Sequence, residues 1–298
     1  MQKIKYEKFE RERIDSFLAS IYKEYSRSYF QKLIESSLGN KGVRVNEKNI
    51  SSSYKLKRGD FIEIEFPAQL ENLGVKAEKI DIDIIYEDDD IIVINKPFGI
   101  VVHPSYGHLD GTLLNALVGY ADEKFIPYLV HRLDKDTSGL ILFAKNEKSK
   151  ISISKQFQNR AVKKIYYAAV KGTIVENRGR IEAPLGRAPE NRKIMSVNPL
   201  ATKMAISEFS VMARRDGFTL VKVHIITGRT HQIRSHMKYI NHPVVGDKQY
   251  GGPQVINSKI YSRQMLHSYQ ISFTHPKTSK NLTFIAPLAE DMKEIFEI

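Results

Sequence analysis

The chain has 298 residues, of which 42% are hydrophobic and 27% charged, so it has room for one large domain or for a small and a medium-sized one. Its 46 lysines and arginines outnumber 34 acidic residues, and the net charge of +12 suggests a polyanionic partner. Because cysteine is absent, disulfides, thiolate nucleophiles, iron–sulfur clusters and cysteine-ligated zinc are excluded. No apolar run approaches the ~20 residues of a membrane span, and the N-terminal segment lacks the apolar core of a signal peptide. We therefore expect a cytoplasmic protein without membrane association.

Most of the excess charge falls in one part of the chain. Between residues 160 and 238, sixteen residues are basic and five are acidic, an excess of eleven out of the total of +12. An ordinary solvated surface would interleave acidic residues with these cations. Their scarcity favours a surface that faces nucleic acid.

The first 67 residues are predicted to form a small unit. Apolar residues at helical spacing indicate a helix over residues 14–21, and Ser26 is a candidate N-cap of a second helix that ends near Gly39. Two short strands follow, over residues 43–45 and 61–66. This order of elements predicts a compact α/β module.

A polar linker over residues 68–79 is predicted to separate this module from a larger domain over residues 80–298. Apolar runs predict strands in the larger domain, and helical spacing predicts three helices. The strands are expected at 80–86, 90–96, 139–144, 165–170, 218–226 and 270–274, and the helices at about 113–119, 148–158 and 232–239. Because strands and helices do not alternate regularly, we predict an α+β fold with a mixed, largely antiparallel sheet.

A polar loop from His131 to Gly139 leads directly into the apolar strand LILFAK. Loops that are held by rigid strands often carry reactive side chains. Taken alone, however, Asp136 and the Thr-Ser-Gly that follows it are ordinary turn formers. The composition by itself therefore favours a surface turn.

A second polar stretch, TGRTHQIRSHM, begins at Thr227 after the apolar strand LVKVHII. Thr230 is a candidate N-cap of a helix whose first turn would present His231 and Arg234, and Arg229 would add a phosphate contact. The histidines of this region do not have the spacing of a zinc site. Since neither a P-loop nor a GxGxxG motif is present, we predict no metal and no nucleotide cofactor.

Four blocks of the sequence, in this order, resemble the signature blocks of the RluA/RluD family of pseudouridine synthases: HRLDKDTSGLILFAK, KKIYYAAVKG, TGRTHQIRSHM followed by HPVVGDKQYGG, and LHSYQISFTHP. The N-terminal unit, with RIDSFLA, SRSYFQKLI and VRVN, is similar to an S4 RNA-binding domain. The resemblance covers essentially the whole chain. It implies a catalytic domain that isomerises uridine in RNA without a cofactor, preceded by an S4-like module.

The resemblance also assigns roles to three residues. It makes Asp134, the aspartate of HRLD, the catalytic residue, and an aspartate that is ionised at neutral pH needs no neighbouring base to act as a nucleophile. Arg234 matches the arginine that pairs with this aspartate. Tyr166, in the pattern KxYxAxVxG, matches the tyrosine that stacks on the flipped uracil, although the residues alone favour an ordinary strand aromatic. Its neighbour Tyr167 should face the other side of the sheet.

Basic and polar residues of both units are candidate RNA contacts. Near the target nucleotide they are Arg132, Arg229, His231 and Gln232, and in the N-terminal unit they are Arg13, Ser26, Arg27, Lys32 and Arg44. Arg132 is equally suited to anchoring its own loop. The N-terminal cations are equally compatible with a solvated helix face.

Two other functions compete with this interpretation. A non-catalytic RNA-binding or ribosome-assembly protein would have no physical need for Asp134, Tyr166 and Arg234 together. A glycoside hydrolase using Asp134 and Asp136 would need an aromatic sugar platform, and the chain has no tryptophan. The S4-like unit favours large-subunit (23S) ribosomal RNA as the substrate, with transfer RNA as the alternative. We expect a monomer without an obligate protein partner.

Overall fold

The computed structural model of the protein describes residues 2–22, 27–35, 42–65, 75–104, 110–188, 194–198 and 201–296. Within these ranges the chain forms a four-stranded sheet near the N-terminus and an eleven-stranded sheet in the remainder. Of the predicted linker, residues 75–79 are described, and they have no regular secondary structure. The domain boundaries at residues 67 and 80 stay predictions. In the described part of the chain, no helix is both long and apolar enough to cross a membrane.

The N-terminal sheet is antiparallel and has the strand order β1-β4-β2-β3. Its strands are β1 (Gln2–Lys5), β2 (Gly42–Val45), β3 (Lys48–Asn49) and β4 (Phe61–Glu65), and its helices are α1 (Ile14–Ile21) and α2 (Arg27–Glu35). Both helices and the strands at β2 and β4 were predicted, whereas β1 and β3 were missed. The proposed cap Ser26 and the stop Gly39 lie outside the described residues.

Apolar side chains from both helices and three strands make a separate core in this unit. Tyr6, Phe17, Leu18, Phe30 and Ile62 are among its buried members. The ring of Tyr6 meets that of Phe17 edge-on, with centroids 4.9 Å apart. Because α1 carries apolar residues at positions i, i+3 and i+4, they lie on one face of the helix, and this face is buried in the core.

The large sheet runs β11-β10-β12-β13-β9-β16-β8-β6-β5, with β17 paired to β16 and β7 paired to β8. Its strands are β5 (Asp83–Glu87), β6 (Ile91–Lys96), β7 (Tyr128–Leu129), β8 (Ser138–Ala144), β9 (Lys163–Lys171), β10 (Arg178–Arg187), β11 (Met195–Val197), β12 (Met204–Arg215), β13 (Phe218–Ile225), β16 (Leu266–Thr274) and β17 (Asn281–Ile285). A separate hairpin consists of β14 (Val255–Ile256) and β15 (Lys259–Ile260). The described helices of this region are α3 (Leu113–Ala121), α4 (Glu147–Gln158), α5 (Gln232–Tyr239) and α6 (Glu290–Phe296).

The α+β architecture with a largely antiparallel sheet is confirmed, and every predicted helix and strand of this region is present within a few residues. The short elements β7, β11, β14, β15, β17 and α6 were missed. So were the long strands β10 and β12, which form one side of the sheet. In both strands the alternation of apolar and polar residues is interrupted. Strand β10 contains Gly179, Pro184 and Gly186, and β12 shifts register between Val211 and Ala213. A bulge changes which face each later residue occupies, so the two-residue alternation is lost.

One parallel contact breaks the antiparallel pattern, where β8 meets β16 at Ser138 and Gly139. All seven residues of β8 are buried, because the strand is covered on both faces. Ile141 and Phe143 belong to the core that includes α3, whereas Leu140 and Leu142 pack on the side of α4. The polar loop that was singled out in the sequence therefore ends at the start of a fully buried strand.

Candidate active site

A cavity of about 480 Å³ lies where three parts of the large sheet meet. Its walls come from the loop before β8, from β9, and from the turn between β13 and α5. Three of the predicted residues, Asp134, Tyr166 and Arg234, line it together. Among its described lining residues, Asp134 is the one carboxylate, and five are cations: Arg132, Arg160, Lys164, Arg229 and Arg234. The excess of cations over this single carboxylate therefore favours binding of an anionic ligand in the cavity.

Arg234 bridges Asp134 to a second carboxylate. Its Nη1 lies 3.1 Å from Oδ2 of Asp134, and its Nε and Nη2 lie 2.6 and 2.9 Å from the two carboxylate oxygens of Asp247. The guanidinium is buried, and so is Asp247. Burial alone would lower the pKa of Arg234, but its hydrogen bonds and ion pairing with Asp247 and Asp134 raise that pKa above its ordinary value. Arg234 is thus a permanent cation at the cavity wall.

The aspartate at 134 is the accessible member of this trio. About 20% of its side chain is exposed, compared with 7% for Arg234 and 1% for Asp247. Asp247 takes two of the guanidinium's donors and fixes its plane, while Asp134 takes one and keeps an oxygen directed at the cavity. Asp247 was not predicted, although it stands in the quoted block HPVVGDKQYGG.

The loop that carries Asp134 is held from beneath by a buried lysine. Nζ of Lys96, which has no exposed surface, donates to the carbonyls of Pro97, Ile100 and Lys135 at 2.7, 3.1 and 2.9 Å. Burial lowers the pKa of Lys96 to about 7, against the opposing pull of Asp136. Since all three N–H groups of the ammonium are used, this lysine ties two neighbouring loops together.

Arg263 holds the other side of the same loop. This buried arginine forms two bonds of 2.6 Å with Asp291 of α6 and donates to the carbonyl of Asp136 at 3.0 Å. At the end of the loop, Gly139 has a φ of +101°, and a Cβ there would lie 2.3 Å from the carbonyl oxygen of Ser268. Only glycine fits, because β16 passes too close for any side chain.

Tyr166 lies on β9 with its ring buried and lining the cavity. Burial raises the pKa of Tyr166 to about 12, and the charge of Asp134 acts in the same direction, so the phenol is neutral at physiological pH. Tyr167 faces the opposite side of the sheet, as predicted, and stacks on Tyr269 with ring centroids 4.0 Å apart. The alternation of strand side chains thus puts one tyrosine in the cavity and its neighbour in a separate core.

Lys164, two residues before Tyr166 on the same strand, also lines the cavity. Only 7% of it is exposed, and its Nζ lies 5.5 Å from the centroid of the Phe157 ring. Burial lowers the pKa of Lys164 to about 8. The lysine is in the quoted block KKIYYAAVKG, but it was not among the predicted RNA contacts.

The turn before α5 corrects one prediction. His231, not Thr230, occupies the N-cap position, with φ at +53° and no capping bond from its side chain. The oxygen of Thr230 instead accepts a hydrogen bond from Nη2 of Arg132 at 3.2 Å. A backbone N–H of this turn is instead bonded by the side-chain amide of Gln232, whose Oε1 accepts a hydrogen bond from the N–H of Arg229 at 3.0 Å.

The four predicted contacts near the target nucleotide therefore divide into two kinds. Arg132 and Arg229 are exposed at the cavity, and His231 is partly exposed within it. Gln232 is buried, and its Nε2 donates to the carbonyl of Ile206 and to Oγ of Ser207, both at 2.9 Å. The structure thus gives Gln232 a role in shaping the turn rather than a free group for RNA.

Two of the N-terminal candidates, Arg13 and Arg27, bond to a buried aspartate. Asp15 accepts two bonds from Arg13 at 3.0 and 2.9 Å, one from Arg27 at 3.1 Å and one from Gln31 at 2.7 Å. Arg44 is partly buried on β2. Ser26 and the side chain of Lys32 lie outside the described residues.

The histidines of the turn region and one acidic cluster are the groups that could serve as metal ligands. His231, His236 and His242 bond to three different groups, the hydroxyls of Tyr250 and Ser207 and the carbonyl of Lys171, so they do not converge. In the described part of the chain, one cluster has metal-like spacing: Asp88, Asp90 and His275. The carboxylate of Asp88 is already used by the N–H groups of residues 90 and 91, by His275 and by a tyrosine hydroxyl, which explains this cluster as a turn.

The family of the chain follows from its similarity to known proteins. Residues 90–239, half of the chain, match the family model described as RNA pseudouridylate synthase. The chain belongs to the RNA pseudouridine synthase family. This synthase is 42% identical over 292 residues to the "Uncharacterized RNA pseudouridine synthase YlyB" of Bacillus subtilis, covering 96% of this chain and 93% of the relative. It is 39% identical over 297 residues to "Ribosomal large subunit pseudouridine synthase D" of Neisseria meningitidis serogroup A, covering 96% and 78%.

A solved structure supports the fold of the synthase. The human RNA pseudouridylate synthase domain containing 1 superimposes with a TM-score of 0.59 at 26% identity, over 71% of this chain and 85% of that one. The protein is therefore an RNA pseudouridine synthase, an isomerase that modifies RNA. The glycosidase and the non-catalytic alternatives are set aside.

Proposed function

We propose that this synthase isomerises uridine in large-subunit ribosomal RNA, with Asp134 as its catalytic residue. The observation that supports this most is the pair of Asp134 and Arg234 in the wall of a cationic cavity, with Asp247 bonded to the guanidinium behind it. The relative from Neisseria meningitidis, whose name refers to the ribosomal large subunit, matches 96% of the chain. Transfer RNA is the alternative substrate.

The reaction breaks the bond between N1 of uracil and C1′ of ribose, rotates the base, and joins C5 to C1′. N1 gains a proton and C5 loses one, so no oxidant or donor is needed. Asp134 acts at the sugar, either by attacking C1′ or by removing the proton from C2′ to give a glycal.

Arg234 keeps this carboxylate usable when the nucleobase expels water. A desolvated carboxylate would otherwise take up a proton, because low dielectric disfavours its charged form. The guanidinium bears a charge that burial does not remove, and Asp247 prevents it from turning away. Arg234 therefore stabilises Asp134 without displacing it from the cavity.

Tyr166 supplies the surface for the base. Its buried ring lines the cavity beside Asp134, where uracil can stack on it. Because the phenol is neutral, its hydroxyl relays a proton at C5 rather than acting as a free phenolate.

The cations at the cavity compensate the cost of extruding the uridine. Unstacking a base costs a few kcal/mol, roughly, and phosphate contacts elsewhere offset it. We assign these contacts to Arg132, Arg229 and His231 near the cavity. We further propose that residues 1–67 are an S4-like RNA-binding domain using Arg13, Arg27, Lys32 and Arg44, and that the protein acts as a cytoplasmic monomer.

The experiment is to map pseudouridine in ribosomal and transfer RNA from cells that lack the protein. Loss of signal at one or more positions of 23S RNA, restored by the wild-type gene but not by Asp134→Asn, is the expected result. Loss confined to transfer RNA would select the alternative substrate. Full restoration by the Asn variant would contradict the role given to Asp134.

A further inference from the structure

His231 has a geometry that its role as a general RNA contact does not explain. The residue has a left-handed backbone with φ at +53°, which is uncommon outside glycine and is often found at functional sites. Its Nδ1 lies 2.9 Å from the hydroxyl of Tyr250, and its Nε2 lies 3.9 Å from Oδ1 of Asp134. The ring thus points one nitrogen at a buried partner and the other at the carboxylate.

The surroundings of Tyr250 decide which nitrogen carries the proton. The Tyr250 hydroxyl accepts a hydrogen bond from the N–H of Met195 at 2.9 Å, so its own hydrogen is available for another acceptor. Among the described residues, two acceptors are in reach of this hydrogen: Nδ1 of His231 at 2.9 Å and, at the longer distance of 3.4 Å, Oγ of Ser235. The phenol hydrogen therefore goes to Nδ1 of His231.

The tautomer of His231 follows from this bond. Burial lowers the pKa of His231 despite the opposing charge of Asp134, so the ring is neutral at pH 7. A neutral ring that accepts at Nδ1 must carry its hydrogen on Nε2. The same tautomer also keeps a lone pair of Nε2 from facing the Asp134 carboxylate.

The gap between Nε2 and Oδ1 fits one kind of group. At 3.9 Å the two atoms are too far apart for a direct hydrogen bond. If an oxygen lay ~2.8 Å from each atom, the angle Nε2···O···Oδ1 at that oxygen would be about 90°. This geometry suits a hydroxyl that accepts from the N–H and donates to the carboxylate. A carbonyl or a phosphate oxygen cannot donate, and an amide N–H cannot accept.

An internal ribonucleotide offers such a group only once. Its 3′ and 5′ oxygens are in phosphodiesters, and uracil presents separate donors and acceptors but no hydroxyl. We propose that His231 and Asp134 together bind the 2′-hydroxyl of the target ribose. This inference rests on the proposed catalytic role of Asp134.

The contact would have two consequences for the reaction. Since C2′ is bonded to C1′, holding the 2′-oxygen at Oδ1 brings both sugar carbons to the carboxylate. A deoxyribose would leave the N–H of His231 and one carboxylate oxygen without their partner, so the site would select RNA.

Two substitutions at His231 separate the functions of its nitrogens. His231→Asn tolerates a left-handed backbone and puts a polar atom near the position of Nδ1, but nothing at Nε2. His231→Gln puts an amide N–H near the position of Nε2. His224→Asn on β13, whose ring bonds Glu208 outside the cavity, is the matched control.

Each protein is assayed on two hairpins that carry the uridine identified by mapping, one with ribose and one with 2′-deoxyribose at that position. The intrinsic effect of the missing hydroxyl on the chemistry is common to all proteins and cancels when their ribose-to-deoxyribose ratios of kcat/KM are compared. We expect His231→Asn to lower this ratio about tenfold, His231→Gln to restore part of it, and His224→Asn to leave it unchanged. An unchanged ratio in His231→Asn, with activity on the ribose hairpin, would mean that water fills the gap, and would overturn the inference.

The free protein provides a second test that needs no substrate. Nitrogen-15 NMR of labelled histidines should show His231 with its proton on Nε2, and Tyr250→Phe, which keeps the ring beside Arg234, should redistribute the tautomer. A proton on Nδ1 in the wild type would contradict the inference. If the wild-type protein modified neither hairpin, the proposed function would fail independently of this result.

Discussion

Two arginine–aspartate clusters in this protein expose opposite charges. In the cavity, Arg234 lies between two aspartates, and Asp134 is the most exposed of the three residues. In the N-terminal unit, a fully buried aspartate, Asp15, lies beneath Arg13 and Arg27, whose side chains are 39% and 50% exposed. The exposed members set the charge that each cluster presents: a single carboxylate in one region and a pair of cations in the other.

The largest effect is expected from removing the buried cation of the first cluster. Arg234→Gln leaves Asp134 and Asp247 without their shared guanidinium, so the free energy of unfolding should fall by about 3 kcal/mol or more. Turnover should fall roughly 100-fold or more, because the charge that stabilises the carboxylate proposed as catalytic is gone. Urea unfolding and single-turnover assays at a temperature where the variant is folded would measure both changes.

Arg180 provides the matched control for that substitution. It also pairs with two carboxylates, Glu182 and Glu208, at 3.0 and 2.9 Å, but half of its side chain is exposed. Arg180→Gln should therefore cost less than about 1 kcal/mol. Equal losses for both variants would show that burial does not distinguish the clusters.

A smaller effect is expected from the second cluster. Burial alone would raise the pKa of Asp15, but hydrogen bonds from Arg13, Gln31 and Arg27 hold it well below its ordinary value. Asp15→Asn should lower the free energy of unfolding by about 2 kcal/mol and weaken binding of the full RNA substrate, because both arginines lose their anchor. Turnover on a short hairpin should be nearly unchanged, and a large fall in it would contradict an RNA-binding role confined to this unit.

The same cluster makes a pH-dependent prediction. A carboxyl group with a depressed folded pKa contributes stability above the ordinary aspartate value of ~3.9, and this contribution is lost as pH falls below it. Asp15→Asn should therefore reduce the acid sensitivity of the N-terminal unit between about pH 5 and pH 2. Parallel acid titrations of both proteins, followed by circular dichroism, would measure the difference.

The smallest effect concerns Lys164, a buried cation that has no salt bridge to a carboxylate within the described residues. Lys164→Met should weaken RNA binding a few fold and leave the fold as stable or more stable, since a buried charge whose neighbour is the Phe157 ring is removed. Burial lowers the pKa of this lysine from 10.5 to about 8, so the folded protein binds fewer protons than the unfolded chain between those values. The wild type should therefore gain stability as pH rises through that window, and the variant should lack this gain. Lys163→Met, on the exposed neighbouring residue, is the control.

The contrast between the clusters also explains what the sequence could predict. Helices and strands with regular spacing were found, and the family resemblance brought Asp134, Tyr166 and Arg234 together although they lie in separate blocks. Lys96, Arg263 and Asp247 were missed, because a lysine, arginine or aspartate is usually exposed and nothing local indicates its burial. Arg263 meets the loop of Asp136 across 127 residues of sequence, and only the fold reveals that contact.

The N-cap error at Thr230 has a similar cause. Threonine is a good N-cap by local rules, but Arg132 engages its oxygen from another loop, and His231 is held in a left-handed conformation beside Tyr250. Local preference gives way here to bonds with distant residues. The departure coincides with the site, where such departures are often functional.

The most direct test of the central claim is Asp134→Asn in a single-turnover assay with the mapped uridine in its RNA. The side chain keeps its size but loses its charge, so no pseudouridine should form while RNA affinity stays within about threefold of the wild type. Asp136→Asn, two residues along the same loop with a carboxylate outside the cavity lining, should retain most of its activity. Pseudouridine formed by Asp134→Asn at a rate near that of the wild type would contradict the account.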